Sequence, residues 1–168
     1  MYTLEQKVDI VLRYITTNDL EELGRLHDMA EEALAQSSNH IVEQTEMTEI
    51  IAEMLKEIGI PRHYTGHKFL IHAINLASQD NTYLDRNVTK KLYPKVAATF
   101  NTTPSAVERN MRTAINYVFL CGDSEIIEEY FGNTIPLDKG HVTNNEFIAV
   151  CADEARRKMT AKRKEFVA

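Results

Sequence analysis

Arg109 and Arg112 stand three residues apart, followed about one helical turn later by Asn116 and preceded by Glu108 and Ser105. Each guanidinium carries a planar fork of N–H donors that matches the O6/N7 edge of guanine or a phosphate. Glu108 can accept from cytosine N4. Ser105 and Thr102 or Thr103 can donate to phosphate, as can the free N–H groups at a helix start. The stripe fits a solvated helix face as well. There Glu108 and Arg112 form an i,i+4 pair worth only about 0.3–0.5 kcal/mol.

Other chemistries find less support. His63, His67 and His72 invite a metal reading, because His63 and His67 are four apart. His63, however, lies two residues after Pro61 and no acidic or cysteine partner completes a set, so no metal is expected. The basic run Arg156, Arg157, Lys158, Lys162, Arg163 and Lys164 suits either phosphate contact or a solvated helix C-terminus. A glycine-rich phosphate loop, a nucleophile–base set and a carboxylate pair with a pocket signature are all missing. The expectation is a protein that is not an enzyme and uses no cofactor.

The polar stripe belongs to a stretch that punctuates itself as a helix. Thr103 suits the N-cap, Pro104 the first helical position and Gly122 the stop. Val107, Met111, Ala114, Ile115 and Val118 supply an apolar face at helical spacing. Val88, Leu92, Val96, Ala97 and Phe100 mark a helix just before it, bent or restarted at Pro94. The short turn Asn101–Thr103 joins the two as a helix-turn-helix packed on Val96, Ala97, Val107 and Met111. Its second helix, 104–121, can enter a major groove about 12 Å wide.

Helical periodicity continues elsewhere and strand signals are scarce, so the fold class is all-α. Helices are expected over 3–16 (face Leu4, Val8, Val11, Leu12, Ile15) and about 19–36 (Leu20, Leu23, Leu26, Met29, Ala30, Ala33, Leu34). Residues 36–44 read as a linker. Further helices follow at 45–58 with Gly59 as stop, at 67–79, at 124–131 capped by Ser124, and at 144–164 behind the capping box Thr143-x-x-Glu146. Loops are expected at Asp80–Arg86 and around Pro136 and Gly140. The domain reading is a helical hairpin with linker over 1–44, then a six-helix domain with the helix-turn-helix over 45–168.

The chain has 168 residues, 43% hydrophobic and 26% charged, with a net charge of −6. Residues 1–58 hold four Lys/Arg against thirteen Asp/Glu, a balance of −9. Residues 59–168 hold fifteen against twelve, +3, which together give the −6. The acidity sits in the front third, and the remainder tolerates a polyanion. No apolar run approaches the ~20 residues of a membrane span, and no signal-peptide core is present. Cys121 and Cys151 form no C-x-x-C, so a reducing, cytoplasmic setting is expected, with Cys121 in the core.

From about Ile50 to Arg157 the chain resembles the DNA-binding effector domain of the stage-zero sporulation master regulator of endospore-forming Firmicutes. The resemblance rests on Glu-Ile-Gly-Ile-Pro at 57–61, Val-Thr-Lys-Lys-Leu-Tyr-Pro at 88–94 and Phe-Asn-Thr-Thr-Pro-Ser-Ala-Val-Glu-Arg at 100–109. Phe-Gly-Asn-Thr at 131–134 and Thr-Asn-Asn-Glu-Phe-Ile-Ala at 143–149 follow in the same order. It implies a six-helix domain that reads a short promoter box on double-stranded DNA. Base and phosphate contacts fall on Ser105, Glu108, Arg109 and Arg112. Thr113 and Asn116 lie further along the same helix. The family usually has Arg where this chain has Ala106, and His where it has Thr113, which implies altered or relaxed specificity. The region matching Gly122–Ile135 touches the polymerase sigma factor in the family, and Glu125, Glu128 and Glu129 suit a basic partner. The last helix helps protomers pair, so a homodimer or tandem protomers on DNA are expected.

The first 45 residues are too short and too helical for the family's phosphoacceptor receiver. Control by receiver phosphorylation is therefore not carried over. The hairpin reads as a dimerisation or partner-docking piece, or as extra core. The competing function is a protein-interaction module that works through this acidic hairpin, with weakened DNA binding.

Overall fold

The computed structural model describes residues 2–17, 19–84, 88–132 and 142–167. The described residues contain no strand. Their α-helices are α1 (Leu4–Thr16), α2 (Leu20–Ile58), α3 (Thr65–Gln79), α4 (Tyr93–Thr99), α5 (Pro104–Cys121), α6 (Ser124–Phe131) and α7 (Asn144–Val167). A 3-10 turn at Asn81–Tyr83 lies within the stretch read as the Asp80–Arg86 loop. A single π-helical turn, Val88–Leu92, runs directly into α4. The fold is all-α, and its helix-turn-helix is α4–turn–α5. The loop read around Pro136 and Gly140 lies outside the described residues.

The chain divides into two compact units, 1–45 and 46–168. The linker read at 36–44 is a correction: α2 runs unbroken through it. Its residues are rich in Ser, Asn and His, but they contain neither Gly nor Pro, and the segment is laced by i,i+4 bonds. Ser37 Oγ donates to Ala33 O at 2.8 Å and Gln36 Nε2 to Glu32 at 3.1 Å. Gln44 and His40 meet at 2.8 Å, and Thr45 Oγ1 donates to Ile41 O at 2.9 Å. These polar side chains hydrogen-bond within the helix instead of competing with it.

In the first unit, α1 starts with a capping box of Thr3 and Gln6. Tyr2 and Lys7 reach α2 at Glu32 and Ser37. Burial here is thin. Ile10, Leu26 and Ala33 are covered, whereas Leu4, Val8, Val11, Leu12 and Ile15 remain exposed. Two helices bury one seam between them; a wide apolar face needs a further layer.

The second unit is a well-filled core of α2's C-terminal half, α3, α4, α5 and α7. Ile51, Met54, Leu55, Leu70, Ile74, Leu92, Met111, Ile115, Phe147 and Ile148 are almost completely buried. α2 ends on a Schellman motif: Ile60 N–H reaches Leu55 O at 2.8 Å, with Gly59 left-handed at φ 93°. The end of α3 is closed from far along the chain. Arg156 on α7 donates to Ala77 O at 3.1 Å, Ser78 O at 3.3 Å and Asn81 Oδ1 at 2.8 Å. A cation on the last carbonyls of a helix satisfies orphan acceptors and complements the helix dipole.

α7 opens on the expected Thr143–Glu146 box, with Glu146 N–H to Thr143 Oγ1 at 3.2 Å and Thr143 N–H to Glu146 at 2.9 Å. α6 is capped by Asp123, one residue before the expected Ser124, through the Glu125 N–H at 2.9 Å.

Candidate nucleic-acid interface

α5 takes its place through both ends of the turn that precedes it. α4 closes in a second Schellman motif, in which Thr102 N–H reaches Ala97 O at 3.0 Å and Asn101 N–H reaches Ala98 O at 3.5 Å. Asn101 sits at φ 49°, a left-handed position that Asn tolerates better than most residues. Thr103, extended at φ −101°, then caps α5 by accepting from Ala106 N–H at 3.2 Å, and Pro104 follows. Gly122 ends the helix as expected, but in extended backbone at φ −79°.

Val107, Met111, Ala114, Ile115 and Val118 are all fully buried. That fixes the opposite face outward. Thr103, Ser105, Arg109, Arg112, Thr113 and Asn116 are exposed, and Thr102 and Glu108 are partly so. Gly66 on α3 sets how closely α5 can lie, since a β-carbon there would fall 2.1 Å from Asn110 O. Asn144, at the start of α7, holds α5 from another side. Its Nδ2 donates to Glu108 O at 3.0 Å and to Tyr93 Oη at 3.3 Å. Neither Gly66 nor Asn144 announces this role in sequence, because each acts through an element distant in the chain.

The polar groups of α5 differ in availability. Glu108 and Arg112 form the i,i+4 ion pair. Asn110 Nδ2 donates to Ala106 O at 2.7 Å, and Thr113 Oγ1 to Arg109 O at 3.0 Å. Arg109 has no ion-pair partner among the described residues. A shallow hollow beside it is lined by Ser105, Ala106, Asn110 and Thr113.

More positive charge comes from residues that the spacing argument passed over. Lys90, Lys91 and Lys95 are exposed on the π-turn and α4. The Lys68 ammonium lies 5.3 Å from the centre of the Phe100 ring, beside the turn. His72 Nε2 lies 3.1 Å from Thr99 Oγ1 at the end of α4, its ring edge-on to Phe100. Burial, with Lys95 second, lowers its pKa. Burial, with Arg62 second, also lowers that of His67, whose Nε2 has no hydrogen-bond partner. The histidines form no ligand set among the described residues.

The basic run of α7 divides: Arg156, Lys158 and Lys162 are partly covered, whereas Arg157, Arg163 and Lys164 are exposed. Besides Arg156, Arg157 pairs with Glu154 at 2.7 Å, Lys158 with Glu57 at 3.0 Å and Lys162 with Glu46 at 3.6 Å. Tyr130 Oη donates to Glu57 at 2.5 Å, tying α6 to the same node. The charges of Arg156, Lys158 and Lys162 join α7 to other elements of its unit. Glu125, Glu128 and Glu129 are exposed on α6. Cys121 is exposed, against expectation: its helix outlasts the core face, which ends at Val118. Cys151 is buried. No helix among the described residues is long and apolar enough to cross a membrane.

The family model described as the sporulation initiation factor Spo0A C terminal matches residues 51–155. That segment runs from the last turns of α2 to the residue before Arg156 and contains the whole helix-turn-helix. The chain thus belongs to the sporulation initiation factor Spo0A C-terminal family, a DNA-binding effector domain of transcription regulation.

Proposed function

We propose that the protein is a sequence-specific transcription regulator that reads a short promoter box with α5. The observation that carries this reading is the outward face of a doubly capped second helix, on which Arg109 has no ion-pair partner among the described residues. Arg109 reads a guanine, and Ser105, Thr102, Thr103 and the N–H groups at the helix start hold phosphates. Glu108 and Arg112 act as one unit, with the pair opening or turning its free edges to cytosine N4 and phosphate. Thr113 and Asn116 line the far end. Lys68, Lys90, Lys91 and Lys95 supply positioning charge from α3 and the first helix of the motif. A fluorescent duplex bearing a family-like box, titrated against a scrambled duplex over a range of salt, tests the proposal. Tight binding to the box that weakens steeply with salt is expected. Arg109→Ala is expected to lose about 1–3 kcal/mol of discrimination, roughly ten- to hundredfold. Equal affinity for both duplexes, unaffected by Arg109→Ala, would refute direct readout.

A second reading is favoured by the exposed apolar face of α1, where Leu4, Val8, Val11 and Ile15 recur at alternating spacings of four and three. The N-terminal unit would dock a second copy or another regulator, placing protomers on tandem boxes. Glu125, Glu128 and Glu129 would offer an acidic face to a basic patch such as that of a polymerase sigma factor.

A further inference from the structure

The hydrogen bonds that α5 makes to itself decide what its outer face has left to offer. Asn110 Nδ2 donates to Ala106 O at 2.7 Å. A backbone carbonyl only accepts, so the amide cannot be turned the other way round. Asn110 Oδ1 is thereby left as an acceptor of fixed identity, and no donor among the described residues meets it. It belongs to the hollow beside Arg109. The other oxygens there have the same character. Thr113 Oγ1 has given its proton to Arg109 O, and the Ser105 hydroxyl keeps lone pairs even when its proton goes to a phosphate. The hollow is rich in acceptors, with the Arg109 fork at its side.

We infer that Asn110 is a specificity-determining residue whose Oδ1 accepts from the exocyclic amino group of a base beside the guanine that Arg109 contacts. The inference rests on the promoter-reading role of α5 proposed above. In the major groove adenine N6 and cytosine N4 present donors, whereas thymine O4 and guanine O6 present acceptors that would face Oδ1 unpaired. The second N–H of the Asn110 amide remains as well. Adenine, with N7 beside N6, can use both groups, and cytosine uses the oxygen alone. Successive helical residues are about 100° apart, so Glu108 and Asn110 stand on opposite flanks of Arg109. The amino group read by Asn110 is therefore not the one within reach of Glu108.

The test uses the full chain and a pool of randomised duplexes. Bound sequences are enriched, and the best site is resynthesised with each of the four base pairs at every position next to the Arg109-dependent guanine. At one of them adenine is expected to bind best and cytosine next. Thymine and guanine are expected about three- to tenfold weaker, the worth of one hydrogen bond. Asn110→Ala is expected to abolish that preference while keeping the preference for guanine, with melting curves confirming the fold. Asn110→Asp, which keeps the acceptor, is expected to bind more weakly overall and still to favour the amino bases. A side chain that only tied α5 to itself would leave base preference unmoved. A guanine-containing site whose neighbouring preferences are the same in wild type and Asn110→Ala would overturn this inference and leave promoter reading standing. Failure to enrich any sequence over the pool would overturn both.

Discussion

Gly66 decides how close α3 and α5 can come. Any side chain there meets the Asn110 carbonyl well inside contact distance, and Ala114 Cβ lies 2.9 Å from the same point. Both neighbours belong to α5, whose inner face is buried and which cannot move without moving the outward face with it. Gly66→Ala is therefore expected to cost about 1–3 kcal/mol despite the better helix propensity of Ala, read as a lower urea midpoint. His67 and His72 make stability depend on pH in a definite direction. Both have folded-state pKa values below the ordinary 6.5, with burial the first cause. The unfolded chain then binds protons more readily than the folded one. Their contribution is fully present above 6.5 and is lost as pH falls below it through the lowered values. Thermal midpoints should thus drop on going from about pH 7.5 to about pH 5.5, and His72→Gln should narrow the difference. An unchanged difference would place the titration elsewhere.

At the scale of elements, α5 was legible because its instructions are local. Apolar residues at helical spacing gave the buried face, and Thr103 with Pro104 gave the start. The 36–44 segment misled because polar composition marks a break only when the side chains seek partners outside the helix. Here Gln36, Ser37, His40 and Thr45 find them within it. The capping of α3 was not legible at all, because its cap, Arg156, comes from another helix and in sequence resembles any residue of a basic tail. Its exchange for Ala leaves the Ala77 and Ser78 carbonyls without this donor. Charge-assisted bonds of this kind are worth about 1.5–3 kcal/mol, and part of that is lost to solvent here, since the side chain is 32% exposed. Arg156→Ala is expected to lower the thermal midpoint by several degrees, with faster amide exchange at the end of α3.

Across the whole molecule, packing divides at residue 45. Residues 46–168 bury a continuous core. Residues 1–45 bury a thin seam and leave most of the apolar face of α1 in water. An exposed apolar face of this kind is what the proposed docking role of the unit rests on. If, as proposed, this unit docks a second copy, deletion of residues 1–45 is expected to leave a monomer in sedimentation where the full chain gives a dimer. If DNA affinity rises instead, with no change of mass, the unit acts as an inhibitor. The contact between Arg156 and α3 has a further consequence, in time. The carbonyls it closes precede it by 78 and 79 residues, and a loop of that length is closed late. On a ribosome that releases the chain from its N-terminus, α5 emerges complete while the helix behind it still frays at one end. A nascent chain cut short before residue 156 would carry every outward-facing side chain of α5 on a support that had not yet locked.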